Sequence, residues 1–217
     1  MSAKTFTLSD ELHAYVVAHG SEPDEIVRDL VAETRRLLPA QAEMQVAPEQ
    51  AAFLTLLAKI VGVRRAVEIG TFTGLSALAI ARGLADGGRL VCFDISDEYT
   101  QVARRYWARA GVLDRIELRL GPAAERVREL PDTPEIDLAF IDADKTGYPA
   151  YWNELVPRMR PGGVLVVDNV LRRGRVLAPD DPDTRAIVAF NELVRADSRV
   201  ESVLLPVADG ITLARRV

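Results

Sequence analysis

The stretch Arg65-Ala66-Val67-Glu68-Ile69-Gly70-Thr71-Phe72-Thr73-Gly74-Leu75-Ser76 decides the fold class of this chain. It opens with an apolar run of strand length, residues 65–69, and two glycines follow. Gly70 allows the chain to turn sharply out of the strand, and Gly74 allows the next helix to start close to a ligand. Backbone N–H groups at such a helix start can bind an anion. The pattern predicts a nucleotide-binding turn, with a merely structural turn as the alternative.

More runs of strand length follow along the chain, and helical segments separate them. The later runs are Leu90–Ile95, Ile116–Leu120, Ile136–Ile141 and Val164–Val167, and the clearest amphipathic segments are Asp97–Ala110 and Tyr151–Met159. Strands that alternate with helices predict a parallel sheet covered on both faces, which is an α/β, three-layer, doubly wound architecture. The tail, Val200–Leu205 and Ile211–Ala214 around Asp209-Gly210, predicts a hairpin that adds an antiparallel strand.

The first part of the chain, about residues 9–61, is predicted to be helical. Ser21 and Asp24 are predicted to cap one helix, with Pro23 in its first turn. Another helix is predicted over Pro48–Val61, and its expected buried stripe is Phe53, Leu54, Leu57 and Ile60. No repeat or linker interrupts the sequence. We therefore expect one domain over residues 1–217, with a helical cap over 1–61 and a catalytic core over 62–217.

Composition narrows the class of protein. The 217 residues carry a formal net charge of −5, which disfavours nucleic acid as the main partner. Cys92 is the single cysteine and lies in an apolar run, so a buried strand thiol is expected and an internal disulfide is impossible. No apolar stretch approaches the roughly 20 residues that span a bilayer, and the N-terminus lacks a signal-peptide pattern. We expect a cytoplasmic protein with no membrane partner.

Acidic residues follow several strands. Asp94 ends the second strand, where a carboxylate can accept two hydrogen bonds from a ribose diol. The alternative is that Asp94 is the N-cap of the following helix, a role that Ser96 or Asp97 could also fill. Asp142 follows the fourth strand, and Asp168 and Asn169 follow the fifth.

Ligand sites of open α/β sheets lie at the carboxyl ends of the strands, so Asp142, Asp168 and Asn169 are expected to converge. Two carboxylates and an amide are hard oxygen ligands that suit Mg²⁺, Mn²⁺ or Ca²⁺. Loop acids and caps are the alternative for this trio. His13 and His19 are expected to be surface or cap residues.

At these residues the chain resembles the metal-dependent O-methyltransferases related to catechol and caffeoyl-coenzyme A O-methyltransferases. The motifs that carry the resemblance are Glu68–Gly74, Phe140–Lys145, Pro161-Gly162-Gly163, Asp168-Asn169-Val170 and Leu205–Leu213. The resemblance implies a mostly parallel seven-stranded class I methyltransferase fold, S-adenosylmethionine as the methyl donor and a homodimer, for which the N-terminal helices are the expected contact.

The resemblance also implies roles for individual residues. Asp142, Asp168 and Asn169 match metal ligands, and Lys145 matches the general base, although a surface lysine is the alternative. The positions that match cofactor-binding residues are Met44, Val46, Glu68, Gly70, Thr71, Ser76, Asp94, Ala123 and Asp142. Among them, Glu68, Gly70 and Ser76 match the contacts to the methionine part. By chemistry alone Glu68 could be a solvated strand-end carboxylate, Ser76 an ordinary helix residue, and Met44 and Val46 core. Asp144 is expected to be an outer ligand or solvated.

One segment departs from the family pattern. Arg172-Arg173-Gly174-Arg175 occupies a place where relatives often carry a tryptophan, and Ala143 stands where the animal catechol enzymes carry a bulkier residue. An aromatic clamp for a phenol ring is therefore partly missing. The arginines could meet an anionic group such as a phosphopantetheine phosphate, with a solvated basic loop as the alternative.

These features predict a divalent-metal-dependent enzyme that moves a methyl group from S-adenosylmethionine to a hydroxyl of a small molecule with adjacent oxygens. A carrier-bound hydroxy acid or a modified tRNA base is an alternative acceptor. A nicotinamide-dependent oxidoreductase shares the strand–turn–helix start and the ribose acid but leaves Asp142, Asp168 and Asn169 without a role. A catalytically idle binding protein on the same fold is the remaining alternative.

Overall fold

The computed structural model of the chain describes residues 8–217. Within that range seven strands form one sheet: β1 (Arg65–Ile69), β2 (Arg89–Asp94), β3 (Ile116–Leu120), β4 (Ile136–Ile141), β5 (Met159–Val167), β6 (Val200–Leu205) and β7 (Ile211–Arg216). The same range contains eight α-helices: α1 (Asp10–Ala18), α2 (Glu25–Leu37), α3 (Pro48–Val61), α4 (Leu75–Gly83), α5 (Asp97–Arg109), α6 (Ala123–Arg126), α7 (Tyr148–Leu155) and α8 (Pro182–Ala196). None of these helices is both long and apolar enough to cross a bilayer.

The strand order is β3-β2-β1-β4-β5-β7-β6. Strands β1 to β5 are parallel, and β7 pairs antiparallel with both β5 and β6. The predicted doubly wound sheet with an antiparallel C-terminal strand is therefore confirmed. The chain reverses its winding direction between β1 and β4, and this switch point is where open α/β sheets bind ligands.

Apolar side chains of β1 alternate between two cores, one on each face of the sheet. Ala66 packs with α3, α4 and α5, whereas Val67 and Ile69 pack with α7 and α8. Full burial of one large apolar side chain contributes about 1.5–3 kcal/mol, so the two cores hold the strand ends in fixed positions. Cys92 is free and buried in the first core, as predicted.

Helix α2 begins at Glu25, three residues later than a cap at Ser21 would place it. The Asp24 carboxylate accepts the N–H of Val27 at 3.0 Å and is the N-cap. Pro23 precedes the cap and Ser21 lies outside the helix, so their predicted places are wrong. A single aspartate suffices here because its side chain already satisfies the exposed N–H of the first turn.

Helix α3 has the predicted bounds but not the predicted buried stripe. Leu54 is fully buried, whereas Ile60 is 81% exposed. The buried residues are instead Gln50, Ala51, Leu54 and Ala58. The small side chain of Ala58 allows α3 to lie close against α4: a Cβ on Gly83 would come within 2.6 Å of the Ala58 Cβ. Phe53 and Leu57 are partly buried against the first core.

The start of β4 and the start of β5 form an irregular pairing. Ile136 pairs with Met159 and Leu138 with Val164, so β5 carries extra residues where Pro161, Gly162 and Gly163 lie. Strand β5 therefore begins at Met159 rather than at Val164, because the proline and glycines are accommodated where the ladder is interrupted. Helix α7 correspondingly starts and ends earlier than predicted, over Tyr148–Leu155.

Candidate active site

The carboxyl ends of the central strands open into a cavity of about 1250 Å³. Its volume exceeds the about 300–1,000 Å³ of typical small-molecule sites, so it has room for a nucleoside cofactor and an acceptor together. The predicted site residues that line it are Met44, Val46, Gly70, Thr71, Ser76, Asp94, Ala123, Asp142, Lys145, Asp168 and Asn169. Of the predicted cofactor, metal and catalytic residues, Glu68 is the one that does not line this wall.

The glycine turn after β1 is shaped by close backbone approaches. Gly70 has a φ of 87°, and a Cβ there would lie 2.0 Å from the carbonyl oxygen of Asp142. Gly74 has a φ of 85°, and a Cβ there would lie 2.5 Å from the Ala103 Cβ; its carbonyl accepts the Nε1–H of Trp107 at 3.0 Å. Gly74 thus lines the cavity, and the residues packed directly against its backbone are Ala103 and Trp107 of α5. Glycine is required at both places.

Asp94 holds the glycine turn in place. Its Oδ2 accepts the N–H groups of Thr71 and Phe72, both at 2.8 Å, and its Oδ1 accepts the N–H of Ser96 at 2.8 Å. The hydroxyl of Ser96, not Asp94, caps α5 by accepting the N–H of Tyr99. The capping alternative for Asp94 is therefore wrong. The half-buried carboxylate still faces the cavity, where its free lone pairs could accept hydroxyl donors.

Glu68 lies behind the cavity wall and is fully buried, so the solvated alternative is wrong. The Thr71 hydroxyl donates to its Oε2 at 3.0 Å, and its Oε1 has no partner among the described residues. Burial raises the pKa of Glu68 from 4.5 to about 7, and hydrogen bonding from Ser76, Cys92 and Thr71 opposes the shift. Both Ser76 and Thr71 line the cavity, so Glu68 supports the wall from beneath.

A second cluster forms where β4 and β5 end. The Lys145 amine donates to Asp142 Oδ1 at 3.0 Å and to Asn169 Oδ1 at 2.6 Å. The same amine lies 2.7 Å from the Tyr148 hydroxyl, which donates to the carbonyl of Asp168 at 3.1 Å. The Lys145 side chain is 12% exposed, so the surface-lysine alternative is wrong.

Asp168 completes this cluster. It is buried, and its Oδ1 accepts the N–H of Asn169 at 2.6 Å. Burial, followed by the negative charge of Asp142, raises the pKa of Asp168 to about 7. Asn169 has a φ of 57°, a left-handed conformation that asparagine tolerates better than most residues. The structure therefore brings the three predicted metal ligands and Lys145 together.

Aromatic residues of this site were not predicted from the sequence. Tyr148 contacts the Lys145 amine, and burial raises the pKa of the Tyr148 hydroxyl well above its usual range. The Tyr151 hydroxyl donates to Asp144 Oδ1 at 2.5 Å. This hydrogen bond holds the Asp144 carboxylate in place; the sequence predicted that residue to be either an outer ligand or solvated. The available signal was spacing, since Tyr148 follows Lys145 by three residues in helical backbone and so lies on the same side.

Residues 43–47 pass over the cavity as a strap. Gln45 anchors the strap, because its Nε2 donates to the hydroxyls of Thr34 and Thr73, each at 2.9 Å. Met44 is exposed at the cavity mouth, which excludes the core alternative for it, whereas Val46 is buried and serves both core and wall. The strap thus connects the helical cap to the glycine turn.

The three arginines of residues 172–175 also line the cavity. Arg173 pairs with Glu43 at 2.8 Å and Arg175 with Asp181 at 3.2 Å, and these pairs are largely exposed. The Arg172 side chain is only 17% exposed and lies 3.7 Å from Asp183. The solvated-loop alternative therefore fits Arg173 but not Arg172.

The histidines do not line this cavity, and His19 is the exposed C-cap of α1, as the surface-or-cap prediction expected. His13 Nε2 is 2.8 Å from Glu49 Oε1, and His19 Nδ1 is 2.8 Å from the carbonyl of Tyr15. Within residues 8–217 no three His, Cys, Asp or Glu side chains are grouped to hold a metal ion. The predicted ligand set is of a different kind, since it has two carboxylates and one amide.

A family model described as O-methyltransferase matches residues 17–217. The chain belongs to the O-methyltransferase family. A probable caffeoyl-CoA O-methyltransferase of Dictyostelium discoideum is 40% identical over 209 residues, which cover 94% of this chain and 90% of the relative. The oxidoreductase alternative is therefore wrong.

Solved structures agree with this O-methyltransferase assignment. An O-methyltransferase of Bacillus cereus in complex with SAH is 34% identical, with a TM-score of 0.86 over 95% of this chain and 97% of that one. TomG of Streptomyces achromogenes, an O-methyltransferase of tomaymycin synthesis solved with SAM, is 32% identical, with a TM-score of 0.85 over 95% and 96%.

Proposed function

We propose that this O-methyltransferase moves the methyl group of S-adenosylmethionine to a hydroxyl of a small molecule with two adjacent oxygens. We propose further that a divalent cation, held by Asp142, Asp168 and Asn169, takes part. Support for the donor comes from the SAH- and SAM-bound neighbours, and support for the acceptor class comes from the caffeoyl-CoA relative.

One observation carries the metal proposal: the Lys145 amine contacts both Asp142 and Asn169 beside the buried Asp168. Asp142 follows β4, and Asp168 and Asn169 follow the neighbouring strand β5, so the three side chains share one edge of the sheet. Two nearby carboxylates repel each other unless a positive charge or a proton lies between them. Burial, and after it the negative charge of Asp142, raises the pKa of Asp168, and a cation beside it would oppose both effects. Three hard oxygen donors with open positions fit Mg²⁺ or Mn²⁺.

The cofactor proposal uses the other half of the cavity. Asp94 faces the cavity after β2 and would accept the ribose hydroxyls, while Ala123 would contact the adenine. The glycine turn would supply N–H groups to the carboxylate of the methionine part. The free Oε1 of Glu68 lies behind Thr71 and Ser76, where a negative charge would favour the positively charged amino group.

The proposed chemistry depends on Lys145. When bound, the cation would lower the pKa of an acceptor hydroxyl by its positive charge. A positive charge beside the Lys145 amine also favours its neutral form, which can take the hydroxyl proton at Nζ. Tyr148 holds the amine from the other side at 2.7 Å. The deprotonated oxygen then attacks the methyl carbon of S-adenosylmethionine, the sulfur–methyl bond breaks with its electron pair returning to sulfur, and S-adenosylhomocysteine leaves. The protein contributes mainly alignment.

A methyl-transfer assay with two aspartate variants tests this function. Labelled S-adenosylmethionine, Mg²⁺ and a panel of catechols are supplied to the purified chain, with and without chelator. Asp142→Ala should lower the rate at least about 100-fold because one metal ligand is lost. Asp132→Ala is the matched control, since the Asp132 side chain is 89% exposed and lies outside the cavity lining.

Two results would count against the proposal. Full activity of the wild-type chain in excess chelator would remove the cation from the account. Equal rates for Asp142→Ala and Asp132→Ala would remove Asp142 from it.

A further inference from the structure

We propose that Tyr148 is a positioning residue for Lys145, which keeps the amine in place when a cation occupies the neighbouring oxygens. This inference rests on the proposed function, because it concerns the group that takes the acceptor proton. It adds to that function a residue that touches neither the acceptor nor the methyl donor and acts only through the Lys145 amine.

The hydroxyl of Tyr148 has a fixed hydrogen-bonding role. A tyrosine hydroxyl has one hydrogen to donate and lone pairs that accept. The hydrogen of Tyr148 goes to the carbonyl oxygen of Asp168 at 3.1 Å, so the hydroxyl is an acceptor towards Lys145, with its oxygen 2.7 Å from Nζ. A lysine amine keeps N–H groups after it has lost its extra proton. One of them can stay on Tyr148 while the nitrogen lone pair faces the acceptor hydroxyl.

The other contacts of the Lys145 amine are with proposed metal ligands. Among residues 8–217 the amine donates to Asp142 Oδ1 at 3.0 Å, to Asn169 Oδ1 at 2.6 Å and to the Tyr148 hydroxyl. A cation that takes the oxygens of Asp142 and Asn169 removes them as acceptors, and its charge repels a protonated amine. Tyr148 is not in the proposed ligand set. Its hydroxyl is therefore the contact that remains when the site is filled.

The core behind the cavity holds Tyr148 in one position. Its side chain is fully buried and does not line the cavity, whereas Lys145 does. The Tyr148 ring packs edge-on against Phe190 with the ring centroids 5.5 Å apart, and Phe190 packs in the same way against Trp152 at 5.6 Å. Lys145, by contrast, has a flexible four-carbon stem. A fixed hydroxyl on a buried ring thus limits where this amine lies.

Tyr148→Phe tests the inference, because it keeps the packed ring and removes only the hydroxyl. In the assay with labelled S-adenosylmethionine, Mg²⁺ and a catechol, it should lower kcat about 10- to 100-fold, the cost of a misplaced catalytic group. The KM values for the catechol and for S-adenosylmethionine should stay within about twofold of wild type.

Tyr106→Phe is the matched control. Tyr106 is a buried tyrosine whose hydroxyl donates to Glu33 at 2.6 Å, and it does not line the cavity. This variant loses a hydrogen bond of the same kind away from Lys145, so its kcat should stay within about twofold of wild type.

A double-mutant cycle separates positioning from a structural role. Lys145→Met removes the amine that Tyr148 holds, so adding Tyr148→Phe should not lower the residual rate of Lys145→Met further. A tyrosine that merely supports the fold, through the Asp168 carbonyl, would lower the rate by the same factor with and without Lys145.

Crystals of the wild-type chain with S-adenosylhomocysteine and Mn²⁺ give a readout without turnover, and they serve even if Tyr148→Phe does not fold. The Lys145 Nζ is expected within about 3.2 Å of the Tyr148 hydroxyl oxygen while Asp142 and Asn169 contact the manganese.

The inference is overturned if the amine leaves Tyr148 in crystals that hold manganese at Asp142 and Asn169. It is also overturned if Tyr148→Phe keeps the wild-type kcat, or lowers the rate equally with and without Lys145. Failure of the proposed function is a separate result, namely no manganese at these residues, or no transfer of label by the wild-type chain to any catechol with Mg²⁺; the inference then falls with it.

Discussion

Replacing Glu68 with Gln should change how the stability of the protein depends on pH. Burial raises the pKa of Glu68 from 4.5 to about 7. The folded state therefore holds a proton that the unfolded state releases between these values. As pH rises through this window, the free energy of unfolding falls. A displacement of the pKa of this size corresponds to about 3 kcal/mol, because each tenfold change in proton affinity is about 1.4 kcal/mol.

Gln is uncharged and nearly isosteric, so Glu68→Gln lacks this pH-dependent loss. Relative to wild type, the variant should gain about 2.5 kcal/mol in its free energy of unfolding between pH 5 and pH 8, because the rest of the loss occurs below pH 5. Asp168 contributes a loss of the same sign to both proteins, so it cancels in the comparison.

Urea unfolding at pH 5, 6, 7 and 8 measures this difference, in protein freed of cofactor. Fluorescence reports unfolding, because Trp107 and Trp152 are both fully buried. Glu201→Gln is the matched control, since the Glu201 side chain is 72% exposed. If the difference between Glu68→Gln and wild type stays constant across these pH values, the account of Glu68 as a buried, proton-binding carboxyl is refuted.

Thr73→Val removes two hydrogen bonds that join Gln45 and Thr34 to the glycine turn; it should lower the free energy of unfolding by about 1–3 kcal/mol and weaken S-adenosylhomocysteine binding in calorimetry. Unchanged values for both would contradict the role given to the strap. Gly74→Ala should cost about 2–5 kcal/mol in urea unfolding, because φ is 85° and the added Cβ meets Ala103. Gly87→Ala, with φ of 73° and nothing within 4 Å, is its control and should show only the backbone cost; equal losses would contradict the packing argument.

The central strands β1 and β4 were predictable because they are buried on both faces. The bounds of β1, β3, β4 and β6 agree with the predictions, since each run is followed directly by glycine, proline or aspartate. The buried face of α3 was not predictable from hydrophobicity, because Ala58 and Gly83 allow close helix contact and leave Ile60 outside. Burial there depends on the distance between two helices, which sequence periodicity does not contain.

The candidate site was predictable where topology alone determines position. Asp142, Asp168 and Asn169 follow adjacent parallel strands, so their meeting at one edge of the sheet follows from the fold. The burial of Glu68 did not follow, because alternation along β1 gives the face it points to but not whether Thr71 and Ser76 close over it. The contact of Tyr148 with Lys145 required the start of α7, which the amphipathic pattern placed three residues late.

Anomalous diffraction from crystals soaked in Mn²⁺, with S-adenosylhomocysteine bound, tests the central claim most directly. The account predicts one manganese peak in contact with oxygens of Asp142, Asp168 and Asn169, and a Lys145 amine displaced from that point. The account would be contradicted if S-adenosylhomocysteine is bound in the other half of the cavity and no manganese peak lies in contact with these three side chains.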